Sequence, residues 1–290
     1  MRKLLLQLDS SRLPSVFDQV VAYDAGADAI MSYGGVTEPE VRDLIHGCIF
    51  TRGPHDLHNT AVWIGGADMA AGERLLAEAQ KAIFPPFTVS LMLDSNGSNT
   101  TAVAAVVKIE ETLGSLAGKH ALVIAGTGPV GLRAAGLLAK AGAAVTITSR
   151  KHEDGARATA QIMSRFGGTI ECVAAREPSQ VAAAAEAAQI LLNCGPAGIM
   201  LAPKSAWVGR KSLEVAVDLN AVPPLGVDGI EVNDAGVQRE GVIVFGALGI
   251  GNFKTKLHKA CITRLFERSD LVLDAETIAD IARELVAQKR

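Results

Sequence analysis

Between Lys119 and Lys151 the chain reads Lys-His-Ala-Leu-Val-Ile-Ala-Gly-Thr-Gly-Pro-Val-Gly, then a helix-like Ala/Leu/Gly pattern, then Ala-Ala-Val-Thr-Ile-Thr-Ser-Arg-Lys. This is a complete strand–glycine loop–helix–strand unit, and it limits the possible folds more than any other stretch. Residues 121–125 form a short apolar run suited to a buried parallel strand, and 144–148 form a second, β-branched one. Gly126, Gly128 and Gly131 have the G-x-G-x-x-G spacing. The first permits a tight turn, the second lets the backbone approach a pyrophosphate, and the third lets the helix pack closely on the strand. A helix from Pro129 to about Lys140 would point free N–H groups and a positive dipole end at that pyrophosphate. Gly126, Thr127, Gly128, Pro129, Val130 and Gly131 are therefore expected to bind a dinucleotide.

Where NAD-binding folds place an acid after the second strand, to hold the ribose 2′-OH, this chain has Ser149, Arg150 and Lys151. An acid would repel a 2′-phosphate, whereas a guanidinium grips it with paired, charge-assisted hydrogen bonds. The expectation is NADP, with NAD as the weaker alternative.

The chain has 290 residues, enough for one large domain or two ordinary ones. Its abundance of Ala and Gly suits close helix–sheet packing and an α/β class. A net charge of −3 supplies no field that would recruit nucleic acid or an acidic membrane surface. No run approaches the ~18 apolar residues of a membrane span, and the N-terminus enters a strand pattern instead of a signal peptide. Cys48, Cys172, Cys194 and Cys261 are scattered without C-x-x-C pairing, which argues against disulfides and zinc and for a reducing cytoplasm. His55 and His58 sit in a loop-like segment without a carboxylate cluster, so no metal is expected.

Strands are read at 3–8, 29–33, 48–52, 60–64 and 87–93, with helices at 15–25 and 68–84. These alternate into a small α/β domain, 1–113, closed by a helix over 102–113. After the linker at Gly114–Gly118 a second domain, 114–252, repeats the alternation, with strands at 170–174, 190–193, 212–218 and 241–245 and helices near 153–166 and 178–188. Helical patterns in 253–290 are expected to cross back to the first domain.

In an open α/β sheet, ligands sit beyond the carboxyl ends of the strands. Three segments there follow the fingerprint: 193–198 with Cys194 and Gly195, 218–226 with Asn220, and 246–252 with Gly246 and Ala247. They are expected to line the cofactor, the two glycines letting the backbone approach a flat ring. Asp94, Asn96, Ser98, Asn99, Thr100 and Thr101 concentrate hydrogen-bonding groups before a helix. Thr100 or Asn99 suffices as its cap, which leaves the others for substrate. Lys254 and His258 share a helix face and Lys256 points elsewhere; His258 is assigned to substrate. Lys254, Lys256 and Asp18 are the candidates for the chemical step. No Ser-His-Asp, Cys-His or paired-carboxylate arrangement emerges. A hydride transfer that leaves a resonance-stabilised cation needs none, since positioning and electrostatics suffice.

The strings P-S-V-F-D (14–18), T-R-G (51–53), G-G-A-D-M-A-A-G-E-R (65–74), M-L-D-S-N-G-S-N-T-T (92–101), A-G-T-G-P-V-G (125–131), N-A-V-P-P-L-G (220–226) and F-G-A-L-G-I-G (245–251) carry a likeness. With K-x-K-L-H-x-A-C-I at 254–262, the chain resembles, end to end, the bacterial NADP-dependent methylene-tetrahydromethanopterin/methylene-tetrahydrofolate dehydrogenases of one-carbon metabolism. The resemblance implies a pterin-binding first domain and an NADP-binding second domain facing each other across a cleft. It also implies hydride loss from the methylene pterin to NADP⁺, a methenyl cation as product, and a homo-oligomer. Two other readings are compatible with the layout. One is a shikimate- or quinate-type dehydrogenase, although the Lys/Asp pair it needs is not evident. The other is a non-catalytic NADP-sensing protein, which the polar 94–101 run disfavours.

Overall fold

A computed structural model of the chain describes residues 1–288. It divides into two compact units: Met1–Thr100 together with the segment beginning at Thr255, and Thr101–Lys254. The divisions fall inside the helices Ser98–Leu113 and Ala247–Leu265, so the glycines at 114–118, expected to form the linker, lie within the second unit.

The first unit contains β1 (Leu4–Asp9), α1 (Val16–Asp24), β2 (Ala29–Gly34), α2 (Glu38–Ile49), β3 (Thr60–Gly65), α3 (Met69–Ala82), β4 (Ser90–Leu93) and the start of α4 (Ser98–Leu113). Its five-stranded sheet is parallel throughout, in the order β2-β1-β3-β4, followed by a short C-terminal strand, Val272–Leu273. Leu6, Leu8, Val62, Ile64, Leu91 and Leu93 bury one face against Val41, Ile45 and Ile49 of α2 and Leu75, Leu76 and Ala79 of α3. The opposite face, with Leu5, Gln7, Ala61, Trp63 and Met92, is buried as well. A parallel sheet covered on both sides explains why its strands read as nearly continuous apolar runs.

Residues 48–52 do not form the expected strand. Cys48 and Ile49 end α2, whose start is set by Pro39 in the first turn and by a capping box between Thr37 and Glu40. Val41, Ile45, Cys48 and Ile49 fall on one face at helical spacing and are buried there. A local run of β-favouring residues is overridden by that longer period.

The second unit runs through β5 (His120–Ile124), α5 (Pro129–Lys140), β6 (Ala144–Ser149), α6 (His152–Phe166), β7 (Ile170–Ala174), α7 (Pro178–Ala184), β8 (Ile190–Asn193), β9 (Val215–Asp218), β10 (Ala235–Arg239), β11 (Val242–Phe245) and into α8 (Ala247–Leu265). The chain continues through β12 (Val272–Leu273) to α9 (Ala275–Ala287). The seven-stranded sheet has the order β7-β6-β5-β8-β9-β11-β10, and only β10 is antiparallel to its neighbour. The sequence gives little sign of β10, which contains a glycine at φ +80° and a register shift. A two-residue turn joins it to β11, with Glu240 and Gly241 both at positive φ (49° and 82°), the geometry of a tight hairpin. The α/β class with parallel sheets is as the sequence predicts.

Candidate active site

In the second unit the strand order reverses between β5 and β8, which places the ligand crevice at the glycine loop and at the end of β8. The three fingerprint glycines are not equivalent. A Cβ on Gly126 would lie 2.5 Å from Ile147 Cβ, and one on Gly131 would lie 2.7 Å from Gly126 Cα. Both are demanded by packing of loop, strand and helix. A Cβ on Gly128 meets only the Ala125 carbonyl oxygen, at an ordinary 3.6 Å. Nothing within the protein requires glycine there, whereas a ligand approaching the backbone does. Gly128 is the N-cap of α5, no side chain caps that helix, and Pro129 opens it. The first-turn N–H groups are thus available to an anion. Thr127 and Val130 are half-buried beside them.

Ser149 is spent on the turn after β6: its Oγ donates to the Lys151 carbonyl at 2.8 Å. Arg150 and Lys151 are exposed, and neither forms a salt bridge among the described residues. These features fit a dinucleotide carrying an additional phosphate.

At the ends of β8 and β9, buried Asn193 and Asp218 organise two loops. Asn193 Nδ2 donates to Asp218 Oδ1 at 2.8 Å, and the backbone of Gly195 donates to Asn193 Oδ1 at 3.1 Å. Asp218 also accepts from the backbone of Asn220 and Val227, at 3.0 and 2.9 Å. Asn220 is itself buried; its Oδ1 accepts from Val222 N at 2.9 Å and its Nδ2 donates to the Pro224 carbonyl at 3.3 Å. The sequence singled out Asn220, while Asn193 and Asp218 entered only as the first residues of the segments expected to line the cofactor and received no role of their own. Burial of the Cys194 sulfur and the nearby Asp218 carboxylate push that thiol up, so it is not a ready nucleophile.

Gly195 and Gly246 answer to contacts inside the protein. A Cβ on Gly195 would lie 2.4 Å from Leu201 Cδ1, and one on Gly246 would lie 2.0 Å from the Glu231 carbonyl oxygen. Their small size is thus already required by the segments that cross them. Ala247 is half-buried at the start of α8.

The first sheet has its own reversal, between β1 and β3, where Asp9 and Gly65 end paired strands. Asp9 is buried and accepts from the backbone of Ser11 at 2.8 Å and of Ser15 at 3.2 Å. Ser15 then caps α1. A Cβ on Gly66 would fall 2.1 Å from Ser10 Oγ, and Ser10 Oγ is a buried hydroxyl with no hydrogen-bond partner. Sequence reasoning overlooked this loop; the signal was Asp-Ser-Ser directly after an apolar strand.

The 94–101 run divides. Asp94 accepts from Thr100 N at 2.9 Å and from Thr100 Oγ1 at 2.6 Å, and Asn99 Nδ2 donates to the Leu93 carbonyl at 2.6 Å. Ser95 Oγ donates to the Gly65 carbonyl at 2.9 Å. Local architecture therefore absorbs more of the run than the single capping residue expected, and α4 begins at Ser98, earlier than expected. Ser98 Oγ is buried without a hydrogen-bond partner, Asn96 is exposed at φ 54°, and Thr101 is half-buried.

On the sheet face toward α1, His258 is buried and stacks on Trp63, with ring centroids 4.4 Å apart. Phe17 lies tilted to the same imidazole at 6.1 Å. Asp18 lines a small gap with Gln7, Gln19 and Trp63, where Gln7 Nε2 and Trp63 Nε1 are buried N–H groups without a hydrogen-bond acceptor. The lone Gln in an apolar strand was the signal for this cluster. Lys256 is exposed and Lys254 half-buried on α8. Among the described residues no three His, Cys, Asp or Glu side chains are grouped to hold a metal, and no helix is long and apolar enough to cross a membrane.

Strand order, glycine loop and unpaired cations together define a dinucleotide-binding α/β protein. A family model described as methylene-tetrahydromethanopterin dehydrogenase, N-terminal, matches residues 16–96. Over 285 residues the chain is 46% identical to the bifunctional protein MdtA of Methylorubrum extorquens, with 98% of this chain and 99% of that protein covered. It is 31% identical over 293 residues to an NAD(P)-dependent methylenetetrahydromethanopterin dehydrogenase of the same organism, with the same coverage of 98% and 99%. The chain belongs to the methylene-tetrahydromethanopterin dehydrogenase family. Among solved structures, the shikimate 5-dehydrogenase of Listeria monocytogenes in complex with shikimate and NAD aligns with a TM-score of 0.60 at 12% identity. That alignment covers 98% of this chain and 96% of that one, and it shows the fold alone.

Proposed function

We propose that the chain is an NADP-dependent dehydrogenase acting on 5,10-methylene-tetrahydromethanopterin or its tetrahydrofolate counterpart. The observation that carries this reading, in a chain of that family, is the glycine loop: Gly128 is demanded by no contact within the protein. Bound NADP⁺ supplies the hydride acceptor. The first-turn N–H groups of Val130 and Gly131 would hold the pyrophosphate, Arg150 and Lys151 would meet the 2′-phosphate, and the Asn193–Asp218–Asn220 network would fix the loops on the nicotinamide side.

The methylene carbon gives up a hydride, and the product is a methenyl cation whose charge is shared with the adjoining nitrogens. No proton is abstracted, so the residues contribute position and field. In the first unit the pterin is assigned to the carboxyl end of the sheet, where Ser10 and Ser98 keep buried hydroxyls without partners and Asn96 is exposed. Asp18 supplies negative charge to complement a developing cation. Lys256, and Lys254 on the second unit's stretch of α8, suit carbonyl or anionic substrate groups.

The reading includes a cytoplasmic homo-oligomer, in keeping with free cysteines throughout. Family membership disfavours a shikimate- or quinate-type alcohol dehydrogenase and a non-catalytic NADP sensor. The test is cofactor reduction, followed by absorbance, with each methylene pterin and with NADP⁺ or NAD⁺. Turnover with a methylene pterin is expected; its absence in protein that still binds NADP would sink the reading.

A further inference from the structure

A third cation stands beside Arg150 and Lys151. Arg176 follows β7 by two residues, and its Nε donates to the main-chain carbonyl of Arg150 at 3.0 Å. Strands β6 and β7 are parallel neighbours, so this bond ties one strand end to the other. The backbone N–H of Arg176 donates to Gln180 Oε1 at 2.7 Å, within the capping box that opens α7. The residue is thereby held both at its root and at Nε, and the terminal nitrogens remain for another acceptor.

Arg176, like Arg150 and Lys151, is exposed and forms no salt bridge among the described residues. Of the acids close in sequence, Glu177 accepts from backbone N–H in the capping box, Asp154 is paired with Arg157 at 2.6 Å, and exposed Glu153 forms no ion pair with the three cations. Three like charges on adjacent strand ends repel one another, in a chain whose net charge is −3. Holding an arginine in place also costs side-chain entropy. An arriving dianion offsets both costs, and a guanidinium fixed at Nε loses less freedom on binding it than a mobile one.

We propose that Arg176 is a specificity-determining residue: with Arg150 it closes on the 2′-phosphate of the adenosine ribose from the neighbouring strand end, and so sets the preference for NADP over NAD. This inference rests on the cofactor reading above.

The test is calorimetric binding of 2′,5′-ADP and 5′-AMP, which isolates the 2′-phosphate from any catalytic step. In Arg176→Gln, affinity for 2′,5′-ADP is expected to fall about tenfold or more, the size of a lost charge-assisted hydrogen bond, with 5′-AMP unchanged. Arg176→Lys keeps the charge without the Nε tether and should lie between. In turnover, KM for NADP⁺ should rise in parallel, with kcat and the KM for NAD⁺ unmoved. Wild-type-like binding of 2′,5′-ADP by Arg176→Gln overturns the role of Arg176 alone, as does an equal loss for both nucleotides. If the wild-type chain itself does not prefer 2′,5′-ADP to 5′-AMP, the NADP reading falls with it.

Discussion

Trp63 and His258 lie 25° from coplanar with ring centroids 4.4 Å apart, which joins β3 to α8 inside the first unit. Both side chains are buried, so the stack is a core contact. Replacing His258 by Ala removes the ring and leaves a void against the indole, at a cost of about 2–4 kcal/mol. His258→Phe should retain most of that stability. Urea denaturation followed by tryptophan fluorescence distinguishes them; equal midpoints for wild type and His258→Ala would refute the role in packing.

The glycine loop separates folding from binding. Gly126→Ala forces its Cβ into Ile147 and should destabilise the chain by about 1–3 kcal/mol. Gly128→Ala meets no such contact and should melt near wild type, yet lose at least about tenfold in NADP affinity because the methyl occupies the path of the pyrophosphate. Melting temperatures and NADP titrations on both variants test this pair, and tight NADP binding by Gly128→Ala would contradict it.

Asp218→Ala strips acceptors from Asn193 Nδ2 and from the N–H groups of Asn220 and Val227 at once. Leaving buried donors unsatisfied should cost about 3 kcal/mol or more, and the loops at 194–198 and 220–227 should lose protection in hydrogen exchange. Unchanged exchange in those loops would show that the network does not organise them.

Arg150→Ala should raise KM for NADP⁺ by about tenfold to a hundredfold while leaving the KM for NAD⁺ within a factor of two, and the wild-type preference should shrink as salt rises. Steady-state kinetics with the two cofactors at low and high ionic strength give the comparison. A parallel rise for both cofactors would assign Arg150 to the adenosine instead of the phosphate.

Burial pushes the Cys48 thiol from its ordinary 9.0 up to about 11, with Arg52 opposing. Between those values the unfolded thiol ionises while the folded one keeps its proton, so stability must fall as pH rises through that window. The loss approaches about 2–3 kcal/mol above it. Urea midpoints for wild type and Cys48→Ala at pH values below 9 and near 11 should diverge in slope; parallel pH profiles would remove Cys48 as the cause.

The dinucleotide loop was legible because each glycine spacing has a local physical meaning and both flanking strands are continuous apolar runs. Residues 48–52 misled because a five-residue run reflects local propensity, whereas α2 is defined by Val41, Ile45 and Cys48 together with its cap at Thr37. Gly195 and Gly246 were read only for a ligand's approach; the atoms that crowd them within the protein come from Leu201 and Glu231, partners that no local pattern reveals. The organising roles of Asp9, Asn193 and Asp218 were hidden for a related reason: a strand's last residue becomes a loop organiser only when the neighbouring loops are known. Arg176 escaped notice because its tie to the Arg150 carbonyl exists only through the β6–β7 pairing.

β12 pairs with β4, and Leu91 donates its N–H to the Leu271 carbonyl at 2.8 Å. The first unit therefore borrows its last strand from the far end of the chain. During synthesis every residue of the second unit leaves the ribosome ahead of that strand, so the second unit can complete its sheet first while β4 waits with an open edge. A nascent or truncated chain ending before Val272 carries that edge exposed, and this makes β12 the strand that closes the earlier-made sheet.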